Sequence, residues 1–385
     1  MKRKISLLLV IVIALLSISA CSNKNTETTT QENKTKVEEK VETEEVPEIN
    51  MVWAKNMHTG IPYLPIYRPE EFKEKGIYLN KLSEDRFELI EDGKKVAIIN
   101  QIPLKSGTSD ALMIQGQLDV AIGSNLSTII SIDQGLEAKI LSPLQTGGMC
   151  LVFPPDSDIY GWEEVKKHIL SSEEPFKIGY HPPIAAPRIV FEHALREQGI
   201  KITEDATDYD ADVLLVDLKG GGNFLPSLEG GHVDAWVSTT PTPELAEAGG
   251  LGKVVLKLED YPPAGKWKDS PCCVFSATDV AIEKYPKQLK ALIRLLNESC
   301  NYFETNREDA VKILGEVTGA GEEVVSLSNV KYSTEPSEEW IGAITVYVEA
   351  LNKMDKLSGK LAGKSFEEVS KEVFDFRFLE EVRGE

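Results

Sequence analysis

Short apolar runs alternate with helix-like segments along most of the chain, and the stretch from Ala111 to Leu141 shows the pattern most clearly. The spacing of its apolar residues predicts two helices and two strands, over Ala111–Gln115, Leu118–Ile122, Leu126–Ile132 and Ala138–Leu141. Ser124 and Asn125, between the first strand and the second helix, are N-cap residue types, and Gly123 leaves the backbone open to close approach. This turn is either a binding turn or an ordinary connection between a strand and a helix.

Alternation of strands and helices continues on both sides of this stretch, which predicts an α/β fold with mostly parallel sheets flanked by helices. Two proline pairs, Pro154-Pro155 and Pro262-Pro263, interrupt the pattern, and the chain is chiefly helical after the second. We therefore expect two lobes. Residues 154–261 form one lobe, and residues 48–153 with residues 262–385 form the other, so that the strand Met149–Phe153 closes the first part.

A short pattern occurs twice, once in each expected lobe. The segments IQGQLDVAIGSN and LEGGHVDAWVST share a helix end, a glycine, an aspartate, a short apolar strand and small polar residues after it. The first ends at Ser124-Asn125, and the second leads to Ser238-Thr239-Thr240. We expect these two polar turns to face each other across a cleft, although both segments are also compatible with routine α/β connections.

The N-terminus has the features of a secretory signal peptide. Lys2, Arg3 and Lys4 precede an apolar run that is too short to span a bilayer, and Ser19-Ala20-Cys21 follows it. A cysteine directly after Ser19-Ala20 resembles the lipobox of prokaryotic lipoproteins. This resemblance implies that residues 1–20 are the signal peptide and that Cys21 is the lipidated first residue of the mature chain. The alternative is an ordinary signal peptide followed by a coincidental cysteine. Residues 21–47 are polar and poor in large apolar side chains, which predicts a disordered tether.

Charge and cysteine content narrow the functional classes. The formal net charge of -20, without a basic stripe, argues against a nucleic acid partner. Cys150, Cys272, Cys273 and Cys300 match no zinc signature, so no metal site is predicted. We expect buried free thiols; a strained Cys272–Cys273 disulfide or a distant pairing is the alternative.

Several motifs follow one another along the chain in a distinctive order. They are the Pro65–Gly76 segment, Gln115–Ala121, Lys139–Leu141, Trp162–Lys166, Lys177–Gly179, Gly230–Ala235 and Ser270–Val274. Their order resembles that in the solute-binding lipoproteins of ABC importers for nitrate, sulfonate, taurine and thiamine-precursor ligands. These proteins have the type II periplasmic-binding-protein fold.

This resemblance implies a lipid-anchored receptor on the outer face of the cell membrane that delivers a small solute to an ABC permease and its ATPase. No cofactor is implied. The loops that would contact the ligand contain Asn56, His58, Thr59, Ser106, Thr108, Ser124, Asn125, Thr146, Tyr180, His181, Ser238 and Thr239. No arginine lies in these loops, so the charge of the ligand stays open.

Two alternative functions fit the same fold. One is an enzyme related to the pyrimidine synthases, which would be cytosolic and is therefore disfavoured by the signal peptide. The other is an extracytoplasmic ligand sensor. Aromatic residues near the expected cleft are either stacking surfaces for a planar ligand or core residues; they are Trp53, Tyr63, Tyr180 and Trp236.

Overall fold

Two β-sheets with helices on their faces make up the computed structural model, which describes residues 46–104, 109–268 and 270–384. Residues 45–385 cluster as one compact unit. The predicted signal peptide, Cys21 and nearly all of the tether lie outside the described residues. So do Ser106 and Thr108, two of the predicted ligand contacts.

The larger sheet has eight strands in the order β14-β6-β13-β5-β1-β4-β3-β2. Strand β1 pairs in parallel with β4 and β5, whereas the other pairings in this sheet are antiparallel. Its strands are β1 (Glu48–Val52), β2 (Ile77–Lys81), β3 (Arg86–Glu91), β4 (Lys94–Gln101), β5 (Val120–Ser124), β6 (Ala138–Thr146), β13 (Pro271–Thr278) and β14 (Lys331–Tyr332).

The smaller sheet has six strands in the order β12-β7-β11-β8-β10-β9. Strands β8, β9, β10 and β11 pair in parallel, and β7 is antiparallel to both β11 and β12. Its strands are β7 (Met149–Phe153), β8 (Phe176–Tyr180), β9 (Ile202–Thr203), β10 (Val213–Asp217), β11 (Ala235–Thr239) and β12 (Lys253–Lys257).

Helices cover both sheets and dominate the C-terminal third. None of the helices in the described ranges is long and apolar enough to cross a membrane. Their bounds are α1 (Tyr63–Tyr67), α2 (Pro69–Glu74), α3 (Ser109–Ile114), α4 (Asn125–Asp133), α5 (Trp162–Leu170), α6 (Ala186–Glu197), α7 (Phe224–Glu229), α8 (Thr242–Ala248), α9 (Asp279–Lys284), α10 (Pro286–Thr305), α11 (Arg307–Thr318), α12 (Glu322–Leu327), α13 (Glu338–Lys353), α14 (Phe366–Val373) and α15 (Arg377–Arg383).

The α/β fold with a helical C-terminal region is as predicted, but the sheets are mixed rather than mostly parallel. Antiparallel pairs enter the large sheet because β2, β3 and β4 are joined by short connections and form a meander, and because β13 runs back between β5 and β6. Strand β7 is also misplaced by the sequence analysis. It pairs with β11 and β12 of the small sheet, since the chain has already crossed over at Gly147-Gly148, before the proline pair.

One hydrophobic cluster continues from the large sheet into the small one. It joins Ala121 and Leu126 with Leu151, Ile178 and Val237. Helix α13 extends the same cluster: its Tyr347 ring stacks on Trp267 at 6.1 Å between centroids, and the His193 ring of α6 packs edge-on against Trp267 at 5.7 Å. Trp267 lies in the connection between β12 and β13, so this aromatic group ties the crossover to helices on both sides.

Helix α4 is fixed at both ends. The Ser124 hydroxyl accepts a hydrogen bond from the Ser127 N–H at 3.5 Å, which confirms the predicted N-cap. At the other end the buried Asp133 carboxylate accepts from the backbone N–H groups of Ser358, Gly359 and Leu361 at 2.7–2.9 Å. The helix that follows the central turn is therefore held in place by a C-terminal loop.

Candidate functional site

The turn after β1 is built by Asn56. Its side-chain oxygen accepts from the backbone N–H groups of His58 and Thr59, both at 2.9 Å, and the Thr59 hydroxyl accepts from the Ala54 N–H at 2.9 Å. A Cβ at Gly60 would lie 2.5 Å from the Asn56 carbonyl oxygen, so the turn requires glycine there. These contacts turn the His58 ring towards the interior.

His58 links the two sheets. Its Nδ1 lies 2.9 Å from the Gln145 side-chain oxygen of β6 and 3.2 Å from Cys272 Sγ of β13, both in the large sheet. Its Nε2 lies 3.0 Å from the carbonyl oxygen of Thr240, which directly follows β11 of the small sheet. The residue is only 8% exposed, so these contacts lie in the protein interior.

The central turn places a polar side chain in the interior without a partner. Asn125, the first residue of α4, is completely buried, and neither its amide nitrogen nor its amide oxygen has a hydrogen bond within the part of the chain that the structure describes. The preceding residue, Ser124, lies opposite Cys273 of β13, the neighbour of Cys272. Through Cys272 and His58, a chain of contacts runs from the central turn to Thr240.

On the small sheet, Ser238 and Thr239 belong to β11 rather than to the turn that the sequence predicts. They pair with Cys150 and Met149 of β7, which extends the strand to Thr239. Thr240 then makes the junction. Its N–H donates to the Gly148 carbonyl at 2.7 Å, and its hydroxyl donates to the Ser328 hydroxyl at 3.0 Å.

Tyr180 ends β8, His181 follows it, and both contact charged neighbours. The Arg188 guanidinium lies 4.5 Å from the centre of the Tyr180 ring, and the Tyr180 hydroxyl donates to Glu204 at 3.1 Å. Arg188 is 2% exposed and also contacts Glu192 and Glu204. Arg188 lies outside the predicted contact loops, but α6 brings it to this turn.

Of the predicted residues that the structure describes, His58 lies at a closed junction between the sheets, beside Thr240, whereas Tyr180 and His181 contact other partners. His58, Thr59, Thr146, Tyr180 and Ser238 are buried, and Asn125 completely so. Thr146 lines a cavity of about 510 Å3 together with Asn329 and Tyr332. Gln145 and Arg188 were missed. Thr240 had been predicted as part of the polar turn after β11, and Cys272 had attracted attention only as a member of the Cys272-Cys273 pair.

The four candidate aromatic residues are all buried. Trp53 packs against Tyr63 at 6.2 Å and Trp236 against Phe224 at 5.1 Å between ring centroids. Tyr180 instead carries Arg188 on its face. Trp53, Tyr63 and Trp236 accordingly serve as core residues here. The prediction of buried free thiols is confirmed for Cys150, Cys272, Cys273 and Cys300.

Three potential metal-ligand atoms lie close together at this junction. They belong to His58, Cys272 and Cys273 and lie within 4.8 Å of one another. Both His58 nitrogens, however, already face oxygen acceptors, and a metal needs a free lone pair on the imidazole. As arranged, the cluster is therefore not a metal-ligand set.

Several solved structures share this fold. The nitrate-binding protein NrtA from Synechocystis PCC 6803 superposes with a TM-score of 0.63 at 14% identity, over 88% of this chain and 89% of that one. A ligand-binding component of an ABC-type import system from Staphylococcus aureus, solved with zinc bound, gives 0.63 at 11% identity, over 87% and 99%. The alkanesulfonate-binding protein SsuA from Xanthomonas axonopodis pv. citri, bound to MOPS, gives 0.59 at 12% identity, over 86% and 99%.

Sequence comparisons point to a family. An uncharacterized protein of Methanocaldococcus jannaschii, MJ1180, is 32% identical over 109 residues, which span 27% of this chain and 75% of that protein. The sequence model of the NMT1-like family matches residues 72–315, more than half of the chain. The protein thus has the fold of ABC-importer solute-binding proteins and belongs to the NMT1-like family.

Proposed function

We propose that the protein is the lipid-anchored, extracytoplasmic solute receptor of an ABC importer. It captures a small solute between two lobes, one built on the small sheet (β7 to β12) and the other on the large sheet with the C-terminal helices, and delivers it to a permease and its ATPase. Lipid on Cys21 and the tether would hold it at the outer face of the membrane. Nitrate and sulfonate binding by proteins of the same fold support this class of function.

The observation that carries the proposal is the unpartnered Asn125 amide. A buried polar group without a hydrogen bond costs about 1–3 kcal/mol, so such a group is retained where something else satisfies it. Asn125 begins a nine-residue helix whose first N–H groups and dipole favour negative or hydrogen-bond-accepting atoms. A solute that inserts between the sheets at this turn would supply the missing partners.

The solute would be small and rich in hydrogen-bonding atoms, such as a sulfonate, nitrate, taurine or a pyrimidine. From the large sheet, Asn125 and the turn around His58 would contact it, and from the small sheet Thr239 would do so. Because the junction is closed and these side chains are mostly buried, the sheets must separate to admit the solute and then close on it. Binding would therefore stabilise the closed arrangement.

A thermal-shift screen of sulfonates, nitrate, taurine and pyrimidines on the protein from residue 46 onward should identify the solute, because a ligand that binds only the folded state raises its melting temperature. With that solute, Asn125→Ala should raise the Kd roughly 2- to 13-fold, the loss of one hydrogen bond worth 0.5–1.5 kcal/mol. The melting temperature of the free protein should hardly change, because Asn125 has no hydrogen bond to lose.

Asn80→Ala, at an exposed position of β2, is the matched control and should keep the wild-type Kd. Thr239→Ala should weaken binding from the opposite sheet. Wild-type Kd values in both Asn125→Ala and Thr239→Ala would place the site elsewhere. Chemical turnover of the solute by the purified protein would contradict a receptor and favour an enzyme on this fold.

A further inference from the structure

The hydrogen bonds of His58 determine its protonation. The Thr240 carbonyl can only accept, so Nε2 must carry a proton. The Gln145 amide nitrogen donates to the carbonyls of Thr146 and Gly147, at 2.6 and 3.1 Å, which leaves its oxygen facing Nδ1. Nδ1 must therefore also carry a proton. With both nitrogens donating, His58 is an imidazolium, a buried positive charge that needs a counter-charge.

Cys272 is placed to supply the negative charge. Its Sγ lies 3.2 Å from His58 Nδ1, and the Cys273 thiol points at it from 3.7 Å. The hydrogen bond from Cys273 and the imidazolium together hold the pKa of Cys272 below its ordinary value. Burial alone would lower the pKa of His58, but the Cys272 sulfur beside it raises it.

Three further ionisable groups face the pair. Tyr347 of α13 interacts electrostatically with Cys272, and burial raises the pKa of its hydroxyl. Glu244 of α8 lies within electrostatic reach of His58, but burial raises the pKa of its carboxyl and so disfavours a charge there. Tyr332 of β14 donates its hydroxyl to the Met57 carbonyl, and burial raises its pKa as well. Of these groups, Cys272 is the only one both in hydrogen-bond contact with the imidazolium and biased towards the charged form.

We propose that Cys272 and His58 form a buried thiolate–imidazolium pair, and that Cys272 is thereby an oxidation site for hydroperoxides. The thiolate sulfur attacks one oxygen of hydrogen peroxide and the O–O bond breaks. The departing hydroxide takes the Nδ1 proton of His58 and becomes water. Sulfur loses two electrons and the peroxide gains them, which leaves a sulfenic acid on Cys272 and a neutral His58.

Two features favour oxidation at Cys272: a nearby cavity that hydrogen peroxide can enter, and the low reactivity of two other thiols. The cavity is lined by Thr146, the chain neighbour of Gln145, and by Tyr332, whose hydroxyl contacts Met57, and hydrogen peroxide is little larger than water. Burial raises the pKa of both Cys150 and Cys300, so they stay protonated and poorly reactive. They serve as internal controls within the same molecule.

The first test detects the thiolate itself and does not require a reagent to reach the Cys272 sulfur. Thiolates absorb at 240 nm, so the wild-type protein, dialysed against a chelator to remove adventitious metal, should show the absorbance of one thiolate at pH 7 that Cys272→Ser lacks. His58→Gln keeps a donor for the Thr240 carbonyl but carries no charge, and should lose this absorbance. Equal absorbance in the wild type and Cys272→Ser between pH 6 and pH 8 would overturn the pair.

The second test locates the oxidation. After brief exposure to hydrogen peroxide at pH 6, a dimedone adduct mapped by mass spectrometry should lie on Cys272, at least tenfold above Cys150 and Cys300. The adduct should fall at least tenfold in His58→Gln and persist in the control Cys150→Ser. No adduct on Cys272, or adducts spread evenly over the thiols, would overturn the proposal. Neither test involves the imported solute, so their failure would leave the receptor function standing.

Discussion

Asp217, the last residue of β10, shows how a single charge is fixed beside His181, one of the predicted ligand contacts. Its carboxylate accepts from the Lys219 N–H at 2.9 Å, contacts the Lys219 ammonium at 2.7 Å and lies 3.2 Å from His181 Nδ1. Burial raises the pKa of Asp217, but these donors outweigh burial and lower it to about 2. The carboxylate therefore keeps the turn after β10 next to His181.

We expect Asp217→Asn to be less stable than the wild type by about 1 kcal/mol at pH 7, after allowance for solvent screening. The folded pKa of Asp217 lies below its unfolded value near 3.8, so this stabilisation is present above about pH 4 and is lost as the pH falls towards about 2. Urea unfolding at pH 7 and at pH 3 should show the gap shrinking. Asp156→Asn, at an exposed position, is the control, and a gap that stays constant with pH would contradict the assignment.

For individual residues, the sequence predicts roles that depend on near neighbours in the chain and misses those that depend on distant ones. The Ser124 cap and the buried thiols follow from local rules, since capping involves residues three apart and thiols without ligand spacing prefer the interior. The contacts of His58 with Gln145 and Cys272 join residues 87 and 214 positions away along the chain. Nothing in the local pattern around any of the three indicates such partners.

Among the elements, α4 depends on contacts beyond its own sequence. Asp133 at its last position accepts three backbone N–H groups from residues 358–361, and its own carbonyl accepts from the Lys360 N–H at 3.0 Å. A Cβ at Gly359 would lie 2.0 Å from the Asp133 carbonyl oxygen, so the loop can approach this closely only with glycine there. The loop of residues 358–361 and the end of α4 therefore stabilise each other.

Asp133→Ala should therefore lower the free energy of unfolding by about 3 kcal/mol, because it leaves buried N–H groups without an acceptor. Gly359→Ala should also destabilise, since the loop must move away from the helix end. Glu137→Ala, at an exposed position nearby, should stay within about 0.5 kcal/mol of the wild type. Chemical denaturation checks all three, and an Asp133→Ala protein as stable as Glu137→Ala would show that the loop is held by other contacts.

The ends of the strands and their pairing partners cannot be predicted from the spacing of apolar residues alone. Strand β6 continues to Thr146 and β11 to Thr239, past the ends that apolar runs predict, because polar residues there find partners on neighbouring strands. Strand β7 has the apolar run of a buried strand, but its sequence does not say which sheet it joins. Pairing partners are decided by the whole fold, so existence and type of an element are predicted better than its neighbours.

On the scale of the whole molecule, the proposed anchor makes a separate prediction. Cys21→Ala should leave the protein without lipid and move it from the detergent phase to the aqueous phase in a phase-partitioning assay, since stable anchoring requires acyl chains. Solute affinity should be unchanged, because residue 21 precedes the folded unit by more than twenty residues. Wild-type partitioning of the variant would show that Cys21 is not the attachment point.

The stacking of Trp267 on Tyr347 affects how easily the two sheets can separate. Two segments that cross between two sheets can form a loose hinge. Here Trp267 lies on one of these crossovers and packs against His193 of α6 and Tyr347 of α13. If the sheets separate to admit a solute, as we propose, these ring contacts must change, so opening should cost free energy and the closed arrangement should be favoured in the free protein. Separation of the sheets, rather than diffusion of the solute, would then limit the rate of capture. As the solute concentration rises, this rate should level off at the rate at which the sheets separate spontaneously.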